Sequence, residues 1–316
     1  MQTTTNPQFG LLDSLMPSAP TNDFLERLDR TLDWQPLEQA LHAMYPATTG
    51  HPPHLPLVLF KRSLRQHCYG VSDPQCEAWV ADRFSWRRFV GLGMQDQVPD
   101  ETTLVRFRQR LIAHGLHEKL LALVNRQLEQ KGFILKTCTL VDATLLPAAR
   151  RAPAQKDKTG GDEDAGYTVR KGQPHYGYKA HVAADQTHTL LRRVTLTDAS
   201  VHDSQEFEAV VTGDEAMVVA DKAYWSRERS QWCGSKGVAN GILRKPSRGE
   251  TLRPATVRVN RLLSAIRCGV EKIFGWWKRC TGYGRVRYVG RDPNRLELEF
   301  KCMGWNLKRL VSLTGA

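Results

Sequence analysis

Two aspartates stand where apolar side chains would be expected. In "TCTLVDATLL" Asp142 interrupts a strand-like run, and in "MVVADKAYWS" the run Met217–Ala220 ends on Asp221. Met217, Val218, Val219 and Ala220 are too few for a helix and read as a short buried strand. A carboxylate at the mouth of such a strand is costly to bury unless a cation pairs with it or it binds a metal. Asp221 has a plainer reading as the cap of a following helical turn, and the segment alone does not choose. On adjacent strands of a mixed sheet the two acids could lie side by side, where each raises the other's pKa unless a cation sits between them. Mg²⁺ suits such a place, since it needs one or two carboxylates plus phosphate oxygens and water. Two ions about 3.5–4 Å apart can activate a nucleophile and stabilise the leaving oxygen in phosphodiester displacement.

A third acid is best sought in "TVRVNRLLSAIRCGVEKIFGWWKRC", residues 256–280. Val259, Leu262, Ile266, Val270, Ile273 and Trp277 recur at steps of three and four, which predicts one long amphipathic helix. Glu271 lies beside that stripe, with Arg267 four residues before it and Lys278 seven after, all on one face. An Arg and a Lys there could hold a DNA backbone against bound metal. A surface Arg–Glu pair worth about 0.3–0.5 kcal/mol has the same spacing.

The elements that must position these residues follow from punctuation and periodicity. Residues 1–35 read as a weakly ordered arm with one helical piece at "DFLERLDRTL". Residues 36–132 read as a module of four or five helices. "LPLVLFKRSLRQHCYG" stops at Gly70, and the next helix takes Asp73 as cap with Pro74 at its first position and runs through "FSWRRFVGLG". Further helices run from Asp100 to Gly115 and on to Gly132. The link from Gly91 to Pro99 is too long for a helix-turn-helix.

From Lys136 the texture changes to a mixed α/β pattern. The strand around Asp142 is followed by a long loop or poorly ordered hairpin over 150–174, rich in Gly, Pro and charge. A hairpin spans 175–185 and 188–199, and a helix runs from Asp203 to Gly213. Then come the Asp221 strand, a short helix over 225–232, a strand in "GVANGILRK" and the long helix. This order predicts a mixed sheet with helices packed on it.

Composition narrows the function classes. The chain has 316 residues, 41% of them hydrophobic, enough for a sizeable core. Its seven cysteines are scattered without a CxxC pair, which argues against a disulfide framework or an ordinary zinc site. No signal-peptide layout and no apolar run of membrane-spanning length is present, so a soluble, cytoplasmic protein is expected. The net charge is +12, and it is not spread evenly. Residues 222–316 hold 21 basic against 6 acidic groups, while the first 221 hold 24 and 27. A basic excess confined to one region suggests a polyanion, most simply nucleic acid.

"LVDAT", "HYGYKAHVAAD", "VHDSQ", "VVADKAYWS" and "RCGVEKIFGWWK", in this order, resemble bacterial insertion-sequence transposases with a DDE catalytic domain. The likeness is to the insertion-sequence-five group, related to the insertion-sequence-four group, and extends from about residue 50 to 310. It implies a helical domain over 36–132 that binds DNA ends and a ribonuclease-H-like domain over 136–310, with a small insertion between Asp221 and Glu271. It implies Asp142, Asp221 and Glu271 as ligands of two Mg²⁺ ions, with Mn²⁺ able to substitute.

Related groups carry Tyr-x2-Arg-x3-Glu-x6-Lys around the third acid. Arg267, Glu271 and Lys278 match it, and Ser264 stands at the Tyr position. The implied partners are double-stranded DNA, both terminal inverted repeats and target, and a second copy of the chain on that DNA. A nucleoid-associated location follows. Lys222 and Tyr224 match an Asp-Lys-x-Tyr pattern with a DNA-backbone role, and packing against the sheet explains Tyr224 equally. His181 and His202 recur in family-like positions, though a lone His is more often structural. Of the adjacent Trp276 and Trp277 at most one can face DNA, and the stripe assigns Trp277 to the core. Arg106, Arg108 and Arg110 could brace terminal-repeat DNA, and a solvated helix face explains them equally. A metal-dependent nuclease on the same fold and a non-catalytic DNA-binding descendant are the alternatives, and the presence of all three acids weighs against the latter.

Overall fold

The computed structural model describes residues 23–45, 54–153, 160–246, 249 and 251–315. In chain order these form α1 (Asp23–Thr31), α2 (Gln35–His42), α3 (Pro56–Tyr69), α4 (Asp73–Asp82), α5 (Phe84–Val90), α6 (Glu101–Ala113) and α7 (Leu116–Gln130). Then come β1 (Thr139–Pro147), β2 (Gly166–Arg170), β3 (Gln173–Asp185), β4 (Leu191–Asp198), α8 (Phe207–Val210), β5 (Met217–Ala220), α9 (Arg227–Ser235) and β6 (Ala239–Ile242). Three helices close the chain: α10 (Pro254–Arg267), α11 (Glu271–Cys280) and α12 (Arg291–Thr314). The chain divides into two compact units, residues 1–127 with 307–316, and residues 128–306. No helix of the described residues is long and apolar enough to cross a membrane.

In the first unit several expected stops hold. Gly70 takes the left-handed conformation (φ 67°) that ends α3, and Asp100 caps α6 by accepting the Thr103 N–H at 2.7 Å. Two expectations are corrected. The helix after Gly70 is capped by Ser72, whose side chain accepts from Gln75 N, while Asp73 receives both terminal nitrogens of Arg108 at 2.8 and 2.6 Å. It is also two helices, because Arg83 between α4 and α5 is extended (ψ 110°). The "DFLERLDRTL" piece packs its Leu25, Leu28 and Leu32 into the core, while the rest of the expected arm, residues 1–22, lies outside the described residues.

The helical stripe of α3 also hid its polar side chains, because Lys61, Arg62 and Arg65 are all buried. They are held by aromatic faces and carbonyls. The Arg65 guanidinium lies 4.1 Å from the Trp86 ring centre, and burial pushes its pKa down to about 10. Lys61 sits 4.3 Å over Trp34 and pairs with Asp29 at 2.6 Å, while Arg62 donates to the carbonyls of Pro99 and Asp100.

The second unit is built on a six-stranded sheet of order β2-β3-β1-β5-β6, with β4 also paired to β3. β1, β3 and β4 are antiparallel neighbours, whereas β1, β5 and β6 are parallel. One apolar layer contains Val141, Ala183, Val218, Ala220 and Ile242 of the sheet with Phe207, Val210, Tyr224 and Cys233. Alternation sends Leu140 and Asp142 to the opposite face. The expected hairpin is β3–β4. Of the loop or poorly ordered hairpin expected over 150–174, the hairpin is what forms, since β2 pairs with the start of β3; residues 154–159 lie outside the described residues. The helix expected from Asp203 to Gly213 shortens to a 3-10 turn, Asp203–Glu206, and α8.

The long helix expected over 256–280 is broken. A 3-10 turn at Cys268–Val270 separates α10 from α11. Only the second half of the apolar stripe is buried: Val270, Ile273 and Trp277 are in the core, while Leu262 is 67% exposed. The turn lies directly on β1. A Cβ added to Gly269 would stand 3.2 Å from Leu140 Cδ1, closer than ordinary contact, and Leu140 is fully buried. We expect Gly269→Val to overpack this contact and lower stability by about 1–3 kcal/mol. Urea unfolding of the full chain checks this, and an unchanged midpoint contradicts the packing.

Candidate active site

Parallel pairing of β1 with β5 sets the site. Leu140 is level with Val219 and Val141 with Ala220, so the next residue on each strand is an aspartate, Asp142 on β1 and Asp221 on β5. β5 stops there because Asp221 caps the 3-10 turn Lys222–Tyr224, its Oδ1 accepting the Lys222 N–H at 2.7 Å. The cap reading of Asp221 is thus what the local structure shows, and it leaves Oδ2 for other work. β1 continues past that level to Pro147, unaccompanied by β5.

Asp142 is half-buried. Its Oδ1 accepts the Ala143 N–H at 2.9 Å and its Oδ2 accepts Arg267 Nη1. Burial pushes its pKa up, and the charges of Asp221 and Asp203 push the same way. The Arg267 guanidinium and the Ala143 N–H pull it down without cancelling the rise. Two residues along the same face of β1, Thr144 accepts a hydrogen bond from Lys278 Nζ at 2.8 Å. Burial lowers the pKa of Lys278, and the charge of Arg170 adds to this. The broken helix explains how both cations reach one strand. α10 ends on Arg267 over Asp142, the turn crosses Leu140, and α11 carries Lys278 to Thr144.

Glu271, the first residue of α11, is exposed, and its side chain makes no hydrogen bond or ion pair among the described residues. Asp142, Asp221 and Glu271 do not bring three carboxylate oxygens within 4.8 Å of one another among those residues. The structure therefore gathers the two aspartates with Arg267 and leaves Glu271 one helical turn beyond Arg267.

Other expected residues fall in several places. Lys222 is exposed beside Asp221. Of the two roles open to Tyr224, DNA contact and packing, the structure has the second: it is 1% exposed and lies against Phe207 at 6.1 Å. Its buried hydroxyl has no hydrogen-bond partner among the described residues; burial and the carboxylates of Asp203, Asp142, Asp221 and Glu206 push its pKa far above the usual phenol range. Trp276, also expected on DNA, is buried against Trp305 at 5.6 Å, because the helix break turns it inward with Ile273 and Trp277. Neither ring offers a face to a base. His181 is buried, its Nε2 3.0 Å from Thr197 Oγ1, and burial pushes its pKa down to about 4. His202 caps the turn at Asp203, its Nδ1 accepting the Ser204 N–H. In the first unit Arg106 and Arg110 are exposed one turn apart on α6, and Arg108 is the buried partner of Asp73.

Two residues near the site had not been singled out. Asp203 adds its charge to Asp142 and pairs with Lys179 Nζ at 2.8 Å, which also donates to Val201 O at 2.6 Å. Arg229 donates to Tyr224 O at 2.8 Å and to Ser204 O, tying the turn after Asp221 to the turn after Asp203. Asp203 lies in the quoted "VHDSQ" but reads from sequence as a helix start, and Arg229 lies outside the quoted motifs.

The ion pair can be tested without any ligand. Arg267→Ala removes the largest influence holding the Asp142 carboxyl down, leaving burial and two neighbouring carboxylates. Its titration, followed by carboxyl-carbon NMR, is expected to move to higher pH, and an unmoved titration contradicts the pair.

Comparison with known families agrees with this arrangement. A transposase domain (DUF772) matches residues 13–110, and a transposase DDE domain matches residues 135–307. No solved structure matches the chain. The second match spans more than half of the 316 residues and contains both aspartates with Arg267, Glu271 and Lys278, and the chain accordingly belongs to the DDE transposases of insertion sequences.

Proposed function

We propose that this transposase cuts DNA at the ends of its insertion sequence and joins them to target DNA, with divalent cations held by Asp142, Asp221 and Glu271. The observation that carries the reading is the level pairing of Asp142 and Asp221 at the end of two parallel strands, where Asp142 is pushed toward its neutral form. Such a place favours a cation. The donor set is hard oxygen, which fits Mg²⁺, with Mn²⁺ able to substitute. Bound there as a pair, the ions supply an acidified nucleophile and charge for the leaving oxygen.

The chain's own residues do the rest. Arg267 orients Asp142 and offsets part of the rise in its pKa; with a cation bound at the carboxylates, its guanidinium would be available for a phosphate. Lys278, held at Thr144 on the same face of β1, is assigned to the backbone of the cut strand. Lys222 offers a further exposed cation beside Asp221. Glu271, which has no side-chain partner among the described residues and lies one turn from Arg267, is assigned as the third ligand. The 3′-hydroxyl freed by cleavage then attacks target DNA, with or without a hairpin; Ser264 provides no aromatic ring for that route.

The strand order β4-β3-β1-β5-β6, antiparallel then parallel, supports a ribonuclease-H-like fold. We further assign the chain to the insertion-sequence-five group, acting as a homodimer on DNA. The helices of residues 36–132 are assigned to terminal-repeat binding through Arg106 and Arg110.

The test uses a labelled duplex carrying the element end, Mg²⁺ and a supercoiled target plasmid. Wild-type protein is expected to give cleaved and joined products. Asp142→Asn, Asp221→Asn and Glu271→Gln are each expected to lose at least about a thousandfold in rate, with duplex affinity changed by less than about threefold. Full activity in any of them removes that residue from the site, and cleavage without joining makes the chain a nuclease. Lys278→Ala is expected to lower the salt dependence of binding by about one phosphate contact; an unchanged slope removes Lys278 from the DNA backbone.

A further inference from the structure

β2 and the first residues of β3 form a two-stranded ribbon that leaves the body of the sheet. β3 pairs with β1 and β4 from Gly177 onward, whereas residues 173–177 pair with β2 alone except at that last position. The ribbon turns at Lys171 and Gly172, both with positive φ (51° and 75°), as a two-residue type I′ turn requires.

Its two faces differ. Cross-strand partners share a face. Tyr167 opposite Tyr176, and Val169 opposite Pro174, form an apolar face. That face is braced from below. The Tyr167 and Tyr176 rings lie 4.8 Å apart, and the Tyr176 hydroxyl donates to Asp162 O at 2.6 Å and accepts the Asp162 N–H at 2.8 Å. Asp162 is buried, and its carboxylate accepts Tyr178 Oη at 2.8 Å and the Gly290 N–H. The other face presents Thr168 opposite His175 and Arg170 opposite Gln173. None of these four side chains makes a hydrogen bond or ion pair among the described residues, and Arg170 and Gln173 are exposed.

Residues 166–176 contain no acidic side chain and carry Arg170 and Lys171 at the tip. The charge of Arg170 reaches Lys278, which is bound to Thr144 two residues from Asp142. The cationic tip of the ribbon therefore stands within reach of Lys278, although strand alternation puts Gln173 and His175 on the sheet face opposite Asp142 and Thr144.

We propose that this ribbon is a groove-binding arm for the duplex next to the bond that is cut, a role that rests on the reading of the chain as a DNA transposase. A two-stranded β-ribbon fits the major groove of B-DNA, and Arg and Gln are the side chains that pair bidentately with guanine and adenine edges there. Thr168 and His175 flank them, and Lys171 reaches the phosphates at the groove edge. Tyr176, anchored to Asp162, holds the arm rigid, so that little order is lost on binding.

The full chain with a photo-reactive benzoylphenylalanine in place of Gln173 is irradiated with labelled end duplex. A covalent adduct to DNA is expected, and the triple variant Arg170→Ala, Gln173→Ala, His175→Ala should bind the duplex at least about tenfold more weakly. The cross-link should persist in an Asp142→Asn background, so loss of the cleavage chemistry leaves the arm's role readable. A cross-link to a second protein chain instead of DNA, or no cross-link while the duplex stays bound, overturns the proposal. Unchanged affinity in the triple variant does so as well.

Discussion

Two carboxylates on neighbouring strand ends cannot both stay ionised away from water unless positive charge stands beside them. The rest of the second unit is arranged around that constraint. The parallel register of β1 and β5 makes Asp142 and Asp221 neighbours, and burial with the nearby charges of Asp221 and Asp203 drives the Asp142 pKa up. Arg267 answers part of the deficit. A buried ion pair of this kind is weak evidence for stability, since desolvation offsets most of its attraction. Its worth is in holding the carboxylate in one orientation beside Asp221.

The break between α10 and α11 makes that arrangement possible. A continuous helix would carry its stripe straight along the sheet. The 3-10 turn at Cys268–Val270 instead lets the Gly269 backbone approach Leu140, so Arg267 and Lys278 come down on the same face of one strand. The consequence is that most of α10 stays out of the core, with Val259 and Leu262 exposed, while Ile273, Trp276 and Trp277 anchor α11. Tyr224, Asp203, Lys179 and Arg229 then brace the two turns that follow β4 and β5.

Much of this was legible in the residues. Asp142 and Asp221 stood out because each breaks an apolar strand, and Arg267, Glu271 and Lys278 because their spacing puts them on one helix face. The punctuation by Gly70 and Asp100 gave helix ends correctly, since each acts locally through backbone geometry or a cap. What failed was set by tertiary packing. Apolar periodicity runs unchanged through the 3-10 turn, so the break, the exposure of Leu262 and the burial of Trp276 leave no trace in the pattern. Lys61, Arg62 and Arg65 interrupt the apolar spacing of α3, yet aromatic rings and distant carbonyls hold them inside. The ribbon at 166–176 was half legible, as a loop or a poorly ordered hairpin, because its charge, Gly and Pro resemble a loop while Lys171–Gly172 and the short Tyr-Thr-Val run point to a hairpin.

The central claim is that Asp142 and Asp221 together hold a divalent cation. Electron paramagnetic resonance of Mn²⁺ titrated into the full chain measures this without any dependence on DNA sequence or turnover. The account predicts bound Mn²⁺ that Mg²⁺ displaces, with binding lost in Asp142→Asn and in Asp221→Asn but kept when Arg267 is changed to Ala. Equal Mn²⁺ binding by wild type and both aspartate variants would contradict it.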